Sequence, residues 1–270
     1  MKKQILLLLL SFNTLLLAND ADFDGVEDDV DKCPNTAFSD LVDKTGCKVD
    51  TTISNHHFDI ILGYSQSKEK ESDTTSEYTY NSKLVNLDYY YKKFSLSVAS
   101  SDYNYDTYSS SSNGFNDFYV NAKYKFRPLN NLSFKLGAGV IVPNDDSQTN
   151  KLDYSGSASL TFKANKYISV FGGGSYTVVG DENTTSTEEI YQNSTVYYGG
   201  IGFHKGSKAY ASLSYSNVSS IYIGSEDRET LYFSASYNIT ENWFMIGRYG
   251  YGLNDAAADQ YLSLQIGYFF

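Results

Sequence analysis

Acidic side chains recur at short, regular spacing near the start of the chain. Asp20, Asp22 and Asp24 alternate and are followed by Gly25, and Asp28 and Asp31 come next, three residues apart. Calcium takes about six to eight oxygen ligands in a flexible loop, and alternating aspartates bring three carboxylates to one point. The glycine permits the sharp turn that wraps a chain around an ion. This spacing predicts a calcium site.

The segment differs from an EF-hand loop in how it ends. Val26 is placed to offer its backbone carbonyl, as the seventh position of such a loop does. The twelfth position, where the EF-hand pattern has Glu, is Asp31 when Asp20 is counted as the first. Cys33-Pro34 follows immediately, and the proline prevents an exiting helix from forming there.

The pattern D-x-D-x-D-G-x-x-D-x-x-D-x-C-P-N-T resembles a thrombospondin type 3 calcium repeat. The later V-D-x-x-G-C at 42–47 matches the form found in outer-membrane proteins similar to OmpA and OprF. The resemblance implies a Cys33–Cys47 disulfide, and in such relatives the repeat usually links a barrel to a peptidoglycan-binding domain. Here the repeat precedes the rest of the chain, and no such domain is expected. The calcium ligands that the resemblance implies are Asp20, Asp22, Asp24, Asp28, Asp31 and, through its backbone, Val26.

A solvated acidic linker without a fixed ion is the alternative interpretation of this segment. Between Asp20 and Asp50 there are ten acidic residues and three lysines, a local net charge of -7. Without cations such a segment repels itself and stays disordered. With calcium and a disulfide it is expected to form a small rigid unit.

The first 18 residues, MKKQILLLLLSFNTLLLA, have a basic start, an apolar centre and a small final residue. This pattern predicts a secretory signal peptide over 1–18 that is cleaved after Ala18; an uncleaved anchor helix is the alternative. No cysteine follows the cleavage site, so a lipoprotein anchor is not expected. Export makes a Cys33–Cys47 disulfide possible, since disulfides persist outside the cytoplasm.

Composition beyond residue 50 favours strands. The chain has 26 Tyr and 16 Phe but only 3 Pro, and β-sheets favour aromatic residues. The formal net charge is -11, so nucleic acid, which requires a basic face, is not an expected partner.

Apolar and polar residues alternate from His57 to the last residue, which predicts a transmembrane antiparallel β-barrel over 57–270 after a calcium-binding segment at 19–50. Most predicted strands have ten residues or more, and short and long connections alternate, as in outer-membrane barrels. A soluble β-sandwich would explain the alternation but not this rhythm. The twelve predicted strands span 57–66, 82–92, 93–105, 115–127, 131–142, 151–164, 166–178, 190–204, 207–219, 229–239, 242–252 and 258–270.

An even number of strands predicts that the first and the last strand both have their chain ends on the periplasmic side of a Gram-negative outer membrane. The acidic segment, which precedes the first strand, is then expected on the same side. The chain stops at YLSLQIGYFF, with apolar residues alternating up to Phe270. This ending resembles the signal that outer-membrane barrels present to the barrel assembly machinery. Tyr and Phe near the strand ends fit interfacial girdles against membrane lipid.

The sequence offers little support for an enzyme. His56, His57 and His204 are its histidines, and His204 with Ser207 lies at a predicted periplasmic turn rather than at the outer rim. We therefore expect no catalytic residues, although a lipid-modifying barrel enzyme is kept as a third hypothesis.

The polar face of the strands is expected to line the lumen with charges of both signs. Such charges tune ion selectivity in a water-filled pore. The leading hypothesis is a narrow passive channel for small solutes, and the second is a structural or adhesive barrel with a closed lumen that docks a periplasmic or cell-wall partner. The predicted pore-lining residues are Asp59, Asp88, Asp117, Lys123, Lys125, Arg127, Lys135, Asp153, Lys163 and Arg248.

Overall fold

The computed structural model describes residues 22, 26, 28–34, 36, 42–47, 56–70, 77–107, 110–145, 150–183 and 190–270. The chain divides into two compact units, Met1–Thr52 and Ile53–Phe270, which are described separately. The predicted signal peptide, 1–18, lies outside the described residues. No helix among the described residues is long and apolar enough to span a membrane.

The second unit is all strand over its described part. Long runs with period-two alternation form strands because each strand then has one apolar and one polar face. The strands are β1 His56–Lys70, β2 Glu77–Tyr91, β3 Phe94–Asp106, β4 Ser111–Phe115, β5 Phe118–Leu129, β6 Leu132–Val142, β7 Asp153–Lys163, β8 Ile168–Val178, β9 Ser194–Lys205, β10 Ala209–Val218, β11 Arg228–Asn238, β12 Trp243–Gly252 and β13 Gln260–Phe269.

These strands close into an antiparallel barrel. Each strand pairs with the one before it in the sequence, except that β5 pairs with β3 instead of β4. The first strand, β1, also pairs with the last, β13, so the wall closes into a ring. β4 pairs with the later half of β3 and β5 with the earlier half, so the two occupy one position in the wall, interrupted at Asn116 and Asp117. The predicted twelve-stranded antiparallel barrel is therefore confirmed.

The register defines an inner and an outer face. Large apolar side chains on one face are widely exposed, among them Leu62 at 53% and Leu264 at 56%. The other face is polar and shielded, with Ser169 at 1% and Ser263 at 4%. A closed barrel that is apolar outside and polar inside has the arrangement of a transmembrane barrel.

The two ends of the barrel differ in their connections. We call the end with the short connections 92–93, 130–131, 164–167, 206–208 and 239–242 the turn end, and the opposite one the loop end. At the two-residue connection Lys92 adopts a φ of 54°, and Gly206 adopts 60° in another turn. These left-handed residues let antiparallel strands reverse within a few positions.

The first hairpin is longer than predicted. β1 continues to Lys70 and β2 begins at Glu77, whereas the predicted strands are 57–66 and 82–92. The segments 66–70 and 77–81 are polar or aromatic and lack the alternation of apolar and polar residues, so the sequence pattern does not reveal that they pair as strands. A second correction is β4, which forms within the predicted loop 106–114 and pairs with β3.

Candidate functional site

The inner face carries the residues predicted to line a pore. Partners in register point to the same side of a sheet, and the pairs Asp59–Asp88, Ser97–Asn121, Lys135–Ser159 and Arg248–Ser263 follow this face around the wall. Nine of the ten predicted residues lie on strands with this orientation: Asp59, Asp88, Lys123, Lys125, Arg127, Lys135, Asp153, Lys163 and Arg248.

Asp117 is the exception, because it lies in the break between β4 and β5. Its Oδ1 accepts hydrogen bonds from the Asn144 backbone amide at 3.1 Å and from Asn150 Nδ2 at 3.2 Å. Asp153 likewise accepts from the Gly180 backbone amide at 2.8 Å. At the loop end these two carboxylates therefore anchor connections between strands.

An acidic pair lies near the turn end on β1 and β2. Asp59 and Asp88 are direct partners in register, and the Tyr90 hydroxyl interacts with both carboxylates. Asn86 Nδ2 donates to Asp88 Oδ2 at 2.8 Å. Asp59 is buried, and its Oδ1 has no hydrogen-bond partner among the described residues.

A basic cluster lies on the adjoining strands β5, β6 and β7, also toward the turn end. Lys125 and Lys135 are direct partners in register, and Lys123 is opposite Gly137. Arg127 and Lys163 extend the cluster toward the turns. Lys123 and Lys135 are exposed although they point into the barrel.

Aromatic side chains line the inner face at the loop end, where the sequence pattern predicts polar residues. Tyr80 stacks on Tyr103, and Tyr78 on Tyr105, each with ring centroids 6.0 Å apart. These four tyrosines differ in this from the tyrosines predicted to form the outer girdles. The sequence does contain a sign of this orientation. Tyr78 and Tyr80 are an even number of residues from Ser82 and Asp88, so all four lie on the same face of β2.

Aromatic pairs also mark the outer face. Phe58 packs on Tyr89 at 5.0 Å and Trp243 on Tyr268 at 4.9 Å, both near the turn end. Toward the loop end, Lys83 forms an exposed ion pair with Asp102 at 3.2 Å. Aromatic rings and charges fit the boundary between hydrocarbon and water, where each finds a partly polar environment.

His204 is not at an isolated turn but on the inner face. Its Nε2 lies 3.0 Å from Ser169 Oγ, and its ring packs on Tyr210 at 4.8 Å. Ser169 is only 1% exposed. A hydroxyl so deeply covered is inaccessible to a substrate, so this geometry fits packing better than nucleophilic catalysis.

The predicted Cys33–Cys47 disulfide is confirmed in the first unit. The Lys32 backbone amide donates to the Thr45 carbonyl at 2.8 Å, and Thr36 Oγ1 contacts the carbonyls of Cys33 and Gly46 at 2.8 Å. These contacts link the two ends of the disulfide loop.

Four of the six predicted calcium ligands are described: Asp22, Val26, Asp28 and Asp31. Asp22 Oδ2 accepts from the Thr36 amide at 2.6 Å and Asp31 Oδ1 from the Cys33 amide at 2.8 Å. The described residues hold no group of three or more metal-binding side chains. Asp20 and Asp24 lie outside the described residues, so the thrombospondin-like calcium site stays a prediction.

Phe270 follows the last strand directly. Its backbone amide donates to the Phe58 carbonyl at 2.9 Å, and its ring lies edge-on to Tyr268 at 4.7 Å. The side chain is 59% exposed, so it is available to a partner.

Solved structures of outer-membrane channels share this fold. An outer membrane channel from Pseudomonas putida F1 aligns with a TM-score of 0.67 at 10% identity, over 83% of this chain and all of that one. The NanC porin gives 0.53 at 14% identity, over 78% and 97% of the two chains. The KdgM porin in complex with oligogalacturonate gives 0.51 at 11% identity, over 78% and 98%. At these identities the likeness establishes the fold alone.

No curated protein matches the sequence. The family model described as "Putative MetA-pathway of phenol degradation" matches residues 50–270, which is the whole barrel. The match covers well over half of the chain, and the protein therefore belongs to this family.

Proposed function

We propose that the protein is a passive outer-membrane channel for small solutes. The observation that carries the proposal is the exposure of Lys123, Lys135 and Arg248, three inner-face cations. Charged side chains inside a barrel stay solvated only where water fills the lumen, because burying a charge without a partner is strongly unfavourable. A plugged interior would cover them.

The size of the inner side chains supports the same function. About eight strands give a barrel that side chains fill, whereas about sixteen leave an aqueous channel. Twelve strands lie between, so the small residues of the inner face favour an opening. They include Gly137, Gly139, Ser155, Ser157, Ser159, Gly200, Ser214, Ser216, Ser234 and Ser236.

The comparisons favour a channel over an enzyme. The three solved structures compared above are named as a channel or as porins, and the family name refers to phenol degradation. A small solute of that pathway is therefore a reasonable cargo. An outer membrane location, with lipid around the barrel wall, agrees with the apolar outer face.

We also propose that the first unit is a periplasmic calcium-binding repeat. Its oxygen donors have the chemistry that calcium prefers, and the carboxylates of Asp22 and Asp31 both lie within the first unit, each bonded to a backbone amide through one oxygen. Bound calcium would offset the repulsion among these carboxylates.

Conductance of the refolded protein in a planar bilayer tests the channel, with folding checked by the mobility change of barrels on heating. We expect steady unitary steps. Ser157→Trp fills the inner face of β7 and should reduce the step size, whereas Ala158→Trp, its outward neighbour, should leave it unchanged.

A correctly folded barrel that remains silent would reject the channel. The closed-lumen structural or adhesive barrel would then be the better interpretation, and capture of cell-wall fragments by the first unit would test it. Repeating the recording with and without calcium shows whether the repeat affects conduction. Equal conductance steps in both conditions would mean that calcium affects only the folding of the repeat or its docking to a partner.

A further inference from the structure

The basic cluster contains a like-charged pair that the barrel itself does not neutralise. Lys125 and Lys135 are direct cross-strand partners on the inner face, and Lys123 lies one inward position from Lys125. Like charges placed directly opposite each other destabilise a sheet. The ammonium groups of these three lysines have neither an ion-pair nor a hydrogen-bond partner within the described part of the chain.

The acidic residues of the inner face lie elsewhere. Asp59 and Asp88 belong to β1 and β2, on the far side of β3 from the cluster. Asp117 and Asp153 lie at the loop end, where both are hydrogen-bonded to connecting segments. The wall formed by β5, β6 and β7 near the turn end is therefore a positively charged sector of an otherwise acidic protein.

Serine and lysine side chains of the neighbouring strands lie close over two glycines of β6. Gly137 is opposite Lys123, and a Cβ there would lie 3.1 Å from Lys123 Cγ and 2.5 Å from Ser157 Oγ. A Cβ on Gly139 would meet Ser155 Oγ at 2.6 Å. The Ser157 hydroxyl and the Lys123 stem therefore come together over Gly137, and serine hydroxyls and ammonium groups both donate hydrogen bonds.

We propose that this sector binds small anions, namely solutes with a carboxylate or phosphate group, and makes the channel anion-selective. The inference depends on the proposed channel function and specifies its substrate class. An anion between Lys123, Lys125 and Lys135 compensates their mutual repulsion, and the serine hydroxyls of β7 donate to its oxygens. Rings or clusters of cations select anions in pores by the same attraction.

Reversal potentials in a potassium chloride gradient test the selectivity. We expect the wild-type channel to favour chloride, and Lys125→Gln with Lys135→Gln to lower the chloride-to-potassium permeability ratio roughly threefold or more. Lys83→Gln is the control, since it removes a cation from the outer face. It should leave the ratio unchanged.

Inorganic phosphate tests binding in the same recordings. Millimolar phosphate should reduce the chloride current of the wild type and of Lys83→Gln, and the double variant should lose this block. A cation-selective wild type, or an equal block in the double variant, would overturn the inference while steady steps still support a channel. Silence of a folded barrel would instead remove the proposed function and the inference with it.

Discussion

Ser169 and His204 are joined by a hydrogen bond across the pairing of β8 with β9, with Oγ and Nε2 3.0 Å apart on the inner face. A serine next to a histidine is the arrangement of many hydrolases. Here the serine is covered, and Lys163 rather than a carboxylate is the charged group near the imidazole. The pair fits a structural contact inside the barrel wall.

Ser169→Ala is expected to weaken the barrel slightly, because a net hydrogen bond contributes about 1 kcal/mol. The temperature of the heat-induced mobility change should fall, while conductance and the absence of ester hydrolysis stay as in the wild type. Hydrolysis by the wild type that both Ser169→Ala and His204→Ala abolish would contradict this interpretation and support the enzyme.

Gly267→Ala is expected to destabilise the turn end. The Phe244 ring covers Gly267, its partner in register, and a Cβ there would lie 2.7 Å from the ring carbon Cε1. Relieving such a clash costs about 1–3 kcal/mol. Gly247→Ala is the matched control, since a Cβ at that outward position meets nothing nearer than Leu264 Cδ2 at 3.6 Å. Equal unfolding temperatures for the two variants would contradict the prediction.

Asp22→Asn is expected to weaken calcium uptake by the full-length protein about tenfold, because the charge of the ligand set tunes the affinity of such loops. The asparagine keeps an oxygen that accepts from the Thr36 amide, so the local fold should persist. Asp29→Asn removes one charge from a neighbour outside the predicted ligand set and serves as the control. Equilibrium dialysis measures uptake; equal loss in both variants would indicate diffuse attraction rather than a site.

The disulfide loop is expected to loosen in acid. The Thr45 hydroxyl donates to Asp43 Oδ1 at 2.7 Å, and the amides of Thr45 and Cys47 donate at 2.8 and 3.3 Å. These bonds, led by that of the hydroxyl, hold the pKa of Asp43 below its ordinary value of 3.8. A carboxyl whose pKa is lower in the folded state stabilises it above the unfolded pKa and loses that effect as pH falls through the folded value.

Nuclear magnetic resonance of the Thr45 amide against pH measures this titration. The midpoint should lie below 3.8 in the wild type. Asp43→Asn should remove the titration and weaken the loop at neutral pH. A wild-type midpoint at or above the ordinary value would show that the hydrogen bonds do not stabilise the carboxylate.

Phe270→Ala is expected to reduce the amount of barrel inserted in the outer membrane without changing the unit conductance of the molecules that do insert. The side chain is exposed and its backbone amide holds the end of the chain to Phe58, so the backbone contact survives the substitution. Phe269→Ala, on the preceding inward position, is the comparison. Insertion equal to wild type would remove the assembly role.

The sequence predicted the barrel because its apolar outer face imposes period two on every membrane-spanning strand. Leu132 to Val142 and Asp153 to Lys163 are within two residues of their predicted bounds for this reason. The hairpin beyond Gln66 was missed because strands outside the apolar band need no apolar face. Asn116 and Asp117 interrupt the predicted fourth strand through hydrogen bonds that no alternation reveals.

The sequence alternation predicts which residues face the lumen, but it does not predict which of them contact one another. Alternation placed Lys125 and Lys135 inside, yet their direct opposition follows from the offset between β5 and β6, which the turn after Leu129 sets. The pair Ser169–His204, 35 positions apart in the sequence, depends in the same way on the register between β8 and β9. The pattern of a single sequence indicates on which face of the sheet a residue lies, whereas its neighbours on adjacent strands depend on the strand register.

The pairing of β1 with β13 joins the first and the last strand of the barrel, for example at Asp59 and Phe269. Contacts of such sequence separation form late, because the entire intervening chain must first be ordered. Until β13 pairs with it, β1 presents a bare row of amides and carbonyls, the kind of edge that recruits stray strands. The unfinished barrel therefore avoids aggregation only if the edge of β1 is kept away from other chains until β13 pairs with it.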